Sequence, residues 1–374
     1  MTEKTLNYIQ PFTDEPIRFI SSEGEPLFDF TPEDIGLTEE DLKTLYYYMK
    51  LTRAFDRKGM FLTRSGKALF YVEVAGQEAA TVASGYAVPE NDWIFPAHRE
   101  HGVYLVRGYP LVEMFAQVMG RMEVNKARQM PVHWGMRKLR IITISSPVGN
   151  QLPQAVGIGM AINYLKKDEA IIVYVGDGGT AEGDFHSALT MAGVFKTPVV
   201  FFVQNNHWAI SVPVKRQYAS KNIAIKAIAY GMEGYYVDGN DFLAVYATTK
   251  LAFEKAHNKE PVLIEALTYR YGSHSTADQA DRYRDPRELE YWQKTWDPIK
   301  RARLYLQRLG IWNEEWEKEL DEQIEEELNK AIDEAEKRPL PGPETTFEDV
   351  YAQMPWHIKE EMDELLRELK EKGA

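Results

Sequence analysis

Two short polar segments follow two strongly apolar stretches of this sequence. The stretch AIIVYV is followed by GDGG (176–179), and the stretch PVVFFV is followed by QNNHW (204–208). Asn206 follows Asp177 by 29 positions, an interval that one strand–helix–strand unit fills. Both segments are therefore expected at the carboxyl edge of one parallel sheet, where such sheets bind their ligands.

The chemistry that these segments could support is metal-assisted binding of a diphosphate. Asp177 offers a carboxylate oxygen, Asn206 an amide oxygen and Trp208 its main-chain carbonyl, and oxygens are the ligands that Mg²⁺ prefers. Glycines allow the backbone to turn sharply and to approach phosphates closely, and the N-terminus of the next helix favours anions at the same edge. The predicted cofactor-binding residues of this loop are Gly176, Asp177, Gly178 and Gly179.

A second interpretation of the same loop is a dinucleotide site. Residues 176–181 read G-x-G-x-x-A, which is the fingerprint of nicotinamide-dependent oxidoreductases. That fold requires an acidic residue at the end of the next strand to hold the ribose. Here the next strand ends in Gln204-Asn205-Asn206, which argues against an NAD-dependent enzyme.

The elements that must position these residues form an α/β domain. From about residue 70 to 300, short apolar runs alternate with helical segments, a pattern that predicts a mostly parallel sheet with helices on both faces. Besides the two runs above, PVLIEALTY (261–269) predicts a strand, and 152–165 and 184–195 predict helices. We divide the chain into an extended N-terminal arm (1–36), a diphosphate-binding α/β domain (37–300) and a helical C-terminal extension (301–374).

The composition excludes several kinds of site. The 374 residues include no cysteine, which removes disulfides, zinc–thiolate sites, iron–sulfur clusters and cysteine nucleophiles. A formal net charge of −13 disfavours nucleic-acid binding. No apolar run reaches the roughly 18 residues of a membrane span, and the start MTEKTLNYIQPF lacks the pattern of a secretory signal. We expect a cytoplasmic protein without membrane or nucleic-acid partners.

The GDGG segment, the Asn pair and their spacing together resemble the thiamine-diphosphate signature. Over nearly the whole chain, the sequence is similar to alpha subunits of the decarboxylase (first) component of 2-oxoacid dehydrogenase complexes, most of all the branched-chain type. The resemblance implies that Asp177, Asn206 and the carbonyl of Trp208 bind Mg²⁺, which holds thiamine diphosphate. It also implies a thiamine-diphosphate-binding fold.

Three further segments carry the resemblance. FPAHREHG (95–102) resembles the family segment whose Arg contacts the diphosphate, which is Arg99; His98 stands where the family often has Tyr. SSPVGNQLP (145–153) resembles the segment that holds the pyrimidine and lines the substrate pocket, through Ser146 and Val148. Phe70, before AGQE, matches a pocket aromatic.

RYGSHSTAD (270–278) resembles the active-site loop of these subunits. His274 takes the place of the second family His, which lies near the diphosphate and assists acyl transfer, whereas Ser273 replaces the first. Ser275 matches a position that is phosphorylated in some relatives. Gln204 stands where some relatives have a diphosphate-binding Arg, so Lys215 or Arg216 is a candidate to supply that charge.

A single α/β domain provides only half of what thiamine diphosphate needs, since the aminopyrimidine must also be activated by a carboxylate. The resemblance implies that a beta subunit supplies this glutamate in an assembly of two alpha and two beta chains. The implied reaction is decarboxylation of a 2-oxoacid followed by acyl transfer to lipoamide on the acyltransferase second component. Branched-chain substrates are favoured, with pyruvate or acetoin as alternatives. A non-catalytic binding subunit would not need Asp177, Asn206 and His274 together.

Overall fold

A five-stranded parallel sheet forms the centre of the protein, in a computed structural model that describes residues 1–121, 130–348 and 350–373. The strands are β1 Trp93–Phe95, β2 Ile171–Gly176, β3 Val199–Asn205, β6 Glu233–Asp238 and β7 Val262–Leu267, in the order β1-β2-β3-β7-β6. A short antiparallel pair, β4 Trp208–Ala209 and β5 Val212–Pro213, follows β3. The predicted parallel α/β architecture is confirmed.

The α-helices of the described residues occupy the following ranges: α1 Glu3–Tyr8, α2 Glu39–Arg64, α3 Glu78–Ala87, α4 His101–Val106, α5 Leu111–Val118, α6 Gln151–Tyr164, α7 Gly183–Phe195, α8 Phe242–His257, α9 Pro286–Thr295, α10 Pro298–Arg308, α11 Glu314–Glu336, α12 Thr345–Glu348 and α13 Trp356–Glu371. The first long helix, α2, has Thr38 as its N-cap. The Thr38 side chain accepts from the Asp41 N–H, and the Asp41 carboxylate accepts from the Thr38 N–H, so the two residues form a capping box.

Helices cover both faces of the sheet, and successive strand residues point into two different cores. Val173 and Val175 of β2 pack with residues of α6 and α7, whereas Ile172 and Tyr174 pack with residues of α3 and α8. Because both faces are buried, the strand is apolar at every position. This is why β2 and β3 can be predicted from continuous apolar runs, and β7 from a run that Glu265 alone interrupts.

The N-terminal arm packs on the edge of this same sheet. Ile17 forms a parallel bridge with Val237 of β6, and the Phe12 N–H donates to the Gly234 carbonyl at 2.8 Å. The arm is not extended throughout, because it includes α1 and a 3-10 turn at Pro32–Ile35. By pairing with β6, the arm covers a sheet edge that would otherwise be open.

The C-terminal helices differ in how much they bury. Helix α10 crosses the boundary predicted at residue 300, and buried Arg301 ties it to Asp238 at 2.9 Å. Helix α11 packs on α2 and α5 through Leu320, Ile324 and Leu328. Helix α13 buries none of its residues. No helix in the described ranges combines the length and apolarity needed to cross a membrane. The division into arm, domain and extension stays a prediction.

Candidate active site

The two polar segments meet because β2 and β3 pair in parallel with Gly176 opposite Gln204. Asp177 begins a 3-10 turn that ends at Ala181, and Asn206 directly follows β3; both side chains are buried. A cavity of about 260 Å³ opens beside them. Ten of the predicted site residues line it: His98, Arg99, Val148, Gly176, Asp177, Gly178, Gly179, Asn206, Trp208 and His274.

Two glycines of the loop have no room for a side chain. A Cβ at Gly178 would lie 2.5 Å from the Cβ of Ala209, and a Cβ at Gly179 would lie 2.3 Å from Val175 Cγ2. Real Cβ atoms do not approach other carbons this closely. The loop can therefore pack on both β4 and β2 only because these positions are glycine.

The predicted metal ligands present oxygens at the cavity wall. Asp177 Oδ2 accepts from Gln217 Nε2 at 2.6 Å, and Asn206 Oδ1 accepts from the Trp208 N–H at 3.3 Å. The Trp208 carbonyl accepts from the Arg270 guanidinium at 3.2 Å. No Lys, Arg or His nitrogen of the described chain lies within ion-pair distance of Asp177. Burial raises the pKa of this carboxyl, an effect opposed by hydrogen bonds from Gln217 and the Asn206 N–H.

This donor set fits a hard cation. A buried carboxylate without a basic partner is electrostatically incomplete, and an amide and a carbonyl oxygen nearby suit Mg²⁺. In the part of the chain that the structure describes, no three His, Cys, Asp or Glu side chains converge as a metal cluster. A cation at this place would therefore depend on one carboxylate and on neutral oxygens.

Arg99 also lines the cavity and contacts His274. One guanidinium nitrogen donates to the Glu73 carbonyl at 2.6 Å, and the other lies 3.0 Å from His274 Nδ1. Burial, and then the charge of Arg270, lowers the pKa of Arg99 to about 10. Burial, followed by the charges of Arg99 and Arg270, lowers the pKa of His274 to about 3. Burial, followed by Arg99, lowers that of His98 to about 4.

Arg270 is a second buried cation beside this site. It donates to the carbonyls of Trp208 (3.2 Å) and Ile210 (2.8 Å) and to the Tyr283 hydroxyl (2.7 Å). Its Nε is buried without a hydrogen-bond partner. Among the described residues, no carboxylate lies within ion-pair distance of Arg270 or Arg99. Two buried guanidinium groups without carboxylate partners suit a polyanion such as a diphosphate.

Some residues predicted from the sequence lie outside the cavity wall. The Ser146 hydroxyl bonds to His133 Nε2 at 2.9 Å, and half-buried Phe70 packs against the main core. Lys215 and Arg216 line a neighbouring cleft with His207. The charge that an Arg carries in some relatives at the position of Gln204 is therefore not replaced by either of them in this cavity.

Two glutamines that the sequence did not single out complete the polar wall. Gln77 lines the cavity, and its Oε1 accepts from Asn206 Nδ2 at 3.1 Å. Gln217 holds Asp177 from the segment after β5. Gln77 lies in the AGQE motif that follows Phe70, and this motif was the available signal for it. Gln217 carries no comparable motif.

Comparison with known proteins decides the family. The sequence profile described as "Dehydrogenase E1 component" matches residues 46–344. The chain belongs to this family. It is 39% identical over 373 residues to the human "2-oxoisovalerate dehydrogenase subunit alpha, mitochondrial", covering 98% of this chain and 83% of the relative. It is 40% identical over 358 residues to the "3-methyl-2-oxobutanoate dehydrogenase subunit alpha" of Mycobacterium tuberculosis, covering 95% and 94%.

A plant relative extends this set. The Arabidopsis thaliana "2-oxoisovalerate dehydrogenase subunit alpha 2, mitochondrial" is 41% identical over 329 residues, which cover 87% of this chain and 70% of the relative. The resemblance inferred from the motifs is confirmed. The E1 family implies thiamine diphosphate as cofactor, and the NAD-dependent interpretation of residues 176–181 is not favoured.

Proposed function

We propose that this chain is the alpha subunit of a branched-chain 2-oxoacid dehydrogenase E1 component, which uses thiamine diphosphate and Mg²⁺. The observation that carries the proposal is the single cavity shared by Asp177, Asn206 and Arg99 in a chain of the E1 family. The names of these relatives give 2-oxoisovalerate, also called 3-methyl-2-oxobutanoate, as their substrate, which favours branched-chain substrates over pyruvate or acetoin.

In this proposal, different residues in and beside the cavity hold different parts of the cofactor. Asp177, Asn206 and the Trp208 carbonyl bind Mg²⁺, and Arg99 and Arg270 neutralise the diphosphate. Val148 and His98 border the space for the thiazolium and the substrate, and Ser146 stays a predicted contact for the pyrimidine. Phe70 stays a predicted pocket residue.

Thiamine diphosphate supplies an electron sink at which a 2-oxoacid loses CO₂. The side chains of this subunit bind and orient the reactants. His274 is placed to donate a hydrogen bond to an oxygen that gains charge during acyl transfer to the lipoyl group of the second component, because it lines the cavity beside Arg99. Gln77 fixes the amide of Asn206 so that its oxygen remains available.

A beta subunit is the proposed source of the carboxylate that activates the aminopyrimidine. Support comes from the outer sides of α6 and α7, which we call the α6–α7 face (Gly157, Ala161, Tyr164, Thr190, Val194 and Phe195, all exposed). Helix α6 has no charged residue and α7 has Asp184 alone, although 27% of the whole chain is charged. Surface helices with so little charge are typical of faces covered by a partner.

Gly157 supports the same conclusion. A Cβ at this position would meet no atom of the described residues within 4 Å. Glycine inside a helix costs about 1 kcal/mol relative to alanine, and nothing within this chain requires it here. Helices α6 and α7 begin just after the cavity residues Val148 and Glu182, so a chain packed against this face would lie over the cavity.

Calorimetric titration of thiamine diphosphate tests the proposal. The titrant is added with and without Mg²⁺ to the chain alone and to the chain co-expressed with its beta partner, and the Asp177→Ala variant serves as the control. We expect tight binding that requires Mg²⁺ and the partner and that disappears in the variant. Binding of NAD instead, without a metal requirement, would refute the proposal. Comparing kcat/KM for branched-chain 2-oxoacids, pyruvate and acetoin then decides the substrate.

A further inference from the structure

A fully buried glutamate lies in the sheet, opposite Val203 of β3, which is three positions before the proposed metal ligand Asn206. Glu265 is on β7, between Val203 of β3 and Tyr236 of β6, and its side chain is 0% exposed. No Lys or Arg lies within ion-pair distance of it in the described chain. A carboxylate in such a place is costly unless hydrogen bonds compensate it, so what it contacts is informative.

One oxygen of Glu265 holds the segment that carries Asn206. Glu265 Oε1 accepts from Asn205 Nδ2 at 2.7 Å. The amide oxygen of Asn205 in turn accepts from the His207 N–H at 3.2 Å. The first residue of the Asn pair thus faces the buried carboxylate, and it fixes the backbone on the far side of Asn206.

The other oxygen holds the segment that reaches Asp177. Glu265 Oε2 accepts from the N–H groups of Ile223 (2.6 Å) and Ala224 (2.9 Å) at the start of the 3-10 segment Ala224–Tyr230. Lys226 of this segment donates to Thr180 Oγ1 at 3.1 Å. The Thr180 hydroxyl donates to the Asp177 carbonyl at 2.9 Å.

We propose that Glu265 is a positioning residue for the cation site: its two oxygens hold the loops of Asp177 and Asn206 at the separation that one metal ion requires. The inference rests on the proposed function. Residues that orient metal ligands through hydrogen bonds typically change metal affinity by about 10–100-fold when they are mutated. Glu265 orients two loops at once, because one oxygen bonds to Asn205, next to Asn206, and the other bonds to the segment that contacts the Asp177 loop.

The hydrogen-bond pattern makes a specific double variant informative. All three groups that contact Glu265 are donors, so Glu265→Gln must turn its own NH₂ toward one of them. Asn205 can meet that NH₂ only by rotating its amide, which removes its bond to the His207 N–H. In Asn205→Asp combined with Glu265→Gln, Asp can accept from the glutamine NH₂ and from the His207 N–H, which restores these two bonds and the charge. The Tyr218 hydroxyl, which accepts from Asn205 Nδ2 at 3.1 Å, can donate to the new carboxylate instead.

The experiment uses the complex of this chain with its beta subunit, with thiamine diphosphate present. Mn²⁺ is the probe, and free Mn²⁺ is followed by electron paramagnetic resonance. Glu265→Gln is expected to weaken Mn²⁺ binding by about 10–100-fold, with a smaller loss of kcat at saturating metal. The double variant is expected to recover most of the wild-type affinity. Glu233→Gln, on β6 at the other end of the sheet, is the matched control and should bind as wild type does.

Three outcomes contradict the inference. One is a folded Glu265→Gln complex that binds Mn²⁺ as tightly as wild type, and another is a folded double variant as weak as the single one. Lys226→Met removes both hydrogen bonds of this half-buried lysine to Thr180, together with its contacts to the Phe185 and Tyr218 rings. It should weaken binding even if Glu265→Gln fails to fold, and unchanged affinity there is the third outcome. If wild type itself does not bind Mn²⁺ with thiamine diphosphate, the proposed function fails instead.

Discussion

Arg99 donates to Nδ1 of His274, with 3.0 Å between the two nitrogens, and also to the His274 carbonyl oxygen. A guanidinium has only donors, so Nδ1 must be the acceptor. The single proton of the neutral imidazole is therefore on Nε2. Because the pKa of His274 is lowered to about 3, first by burial, this neutral form persists across the physiological pH range. His274 thus acts as a hydrogen-bond donor through Nε2.

Replacing His274 should separate cofactor binding from acyl transfer. In His274→Ala, we expect acyl transfer to a lipoyl domain to fall by about 10²–10³-fold, the usual loss when one hydrogen-bond donor to a developing oxyanion is removed. The affinity for thiamine diphosphate should change little, since the metal ligands and Arg99 remain. Single-turnover acylation and calorimetry measure the two quantities. Equal losses in both would assign His274 to binding alone.

Asp177→Asn should weaken metal binding and raise the thermal stability of the protein without cofactor. The buried carboxylate has no basic partner within ion-pair distance among the described residues, so its neutral isostere removes an uncompensated charge. We expect a higher midpoint of thermal unfolding without cofactor and loss of Mg²⁺-dependent binding. Asp184→Asn, an exposed carboxylate at the start of α7, is the control. A lower midpoint in Asp177→Asn would show that Asp177 stabilises the fold.

Gly157 allows stability and assembly to be changed in opposite directions. Gly157→Ala should stabilise α6 by about 0.5–1 kcal/mol, because the site is open and helix propensity improves. Gly157→Trp should prevent assembly with the beta subunit. Size-exclusion chromatography of the co-expressed chains measures this, with Lys318→Trp on the exposed side of α11 as the control. Normal assembly of Gly157→Trp would exclude this face as the interface.

The stability contributed by His257 should depend on pH. Its Nε2 lies 2.8 Å from buried Asp92 and its Nδ1 lies 2.9 Å from exposed Asp168. Burial lowers the pKa of His257, but the two carboxylates outweigh it and the net pKa is raised. A raised pKa in the folded state gives stability that is fully present below the unfolded value of about 6.5 and is lost as the pH rises through the folded value.

His257→Gln should therefore destabilise the protein more at pH 6 than at pH 9. A loss of about 1–2 kcal/mol at the lower pH is expected, since one charge-assisted bond is buried and the other is screened by solvent. Urea unfolding at the two pH values measures it, with His357→Gln on α13 as the control. Identical losses at both pH values would mean that the imidazole is not charged in the folded state.

The central part of the fold was predictable because local patterns encode it. Strands β2, β3 and β7 are buried on both faces and mostly apolar, and the spacing between Asp177 and Asn206 corresponds to one crossover. Strand β1 has three residues, and β6 mixes polar and aromatic residues, so neither has a clear pattern. The pairing of the arm with β6 has no local signal either.

The residues that hold the proposed metal ligands in place make contacts between positions that are far apart in the sequence. Gln77 meets Asn206 across 129 positions, Glu265 meets Asn205 across 60, and Gln217 meets Asp177 across 40. None of these pairs follows from periodicity, because only the folded sheet brings them together. Motifs identify residues that contact the ligand more readily than residues that hold those residues in place.

The pair of buried guanidinium groups has a practical consequence for anyone handling this protein. Arg99 and Arg270 have no carboxylate within ion-pair distance in the described chain, so small oxyanions from solution can occupy the place of the diphosphate. Phosphate and sulfate buffers should compete with the cofactor and make its affinity look weaker, whereas zwitterionic buffers should not. The same competition offers a simple inhibitor: inorganic pyrophosphate carries the same two linked phosphate groups as the cofactor, and the two arginines can neutralise their charge.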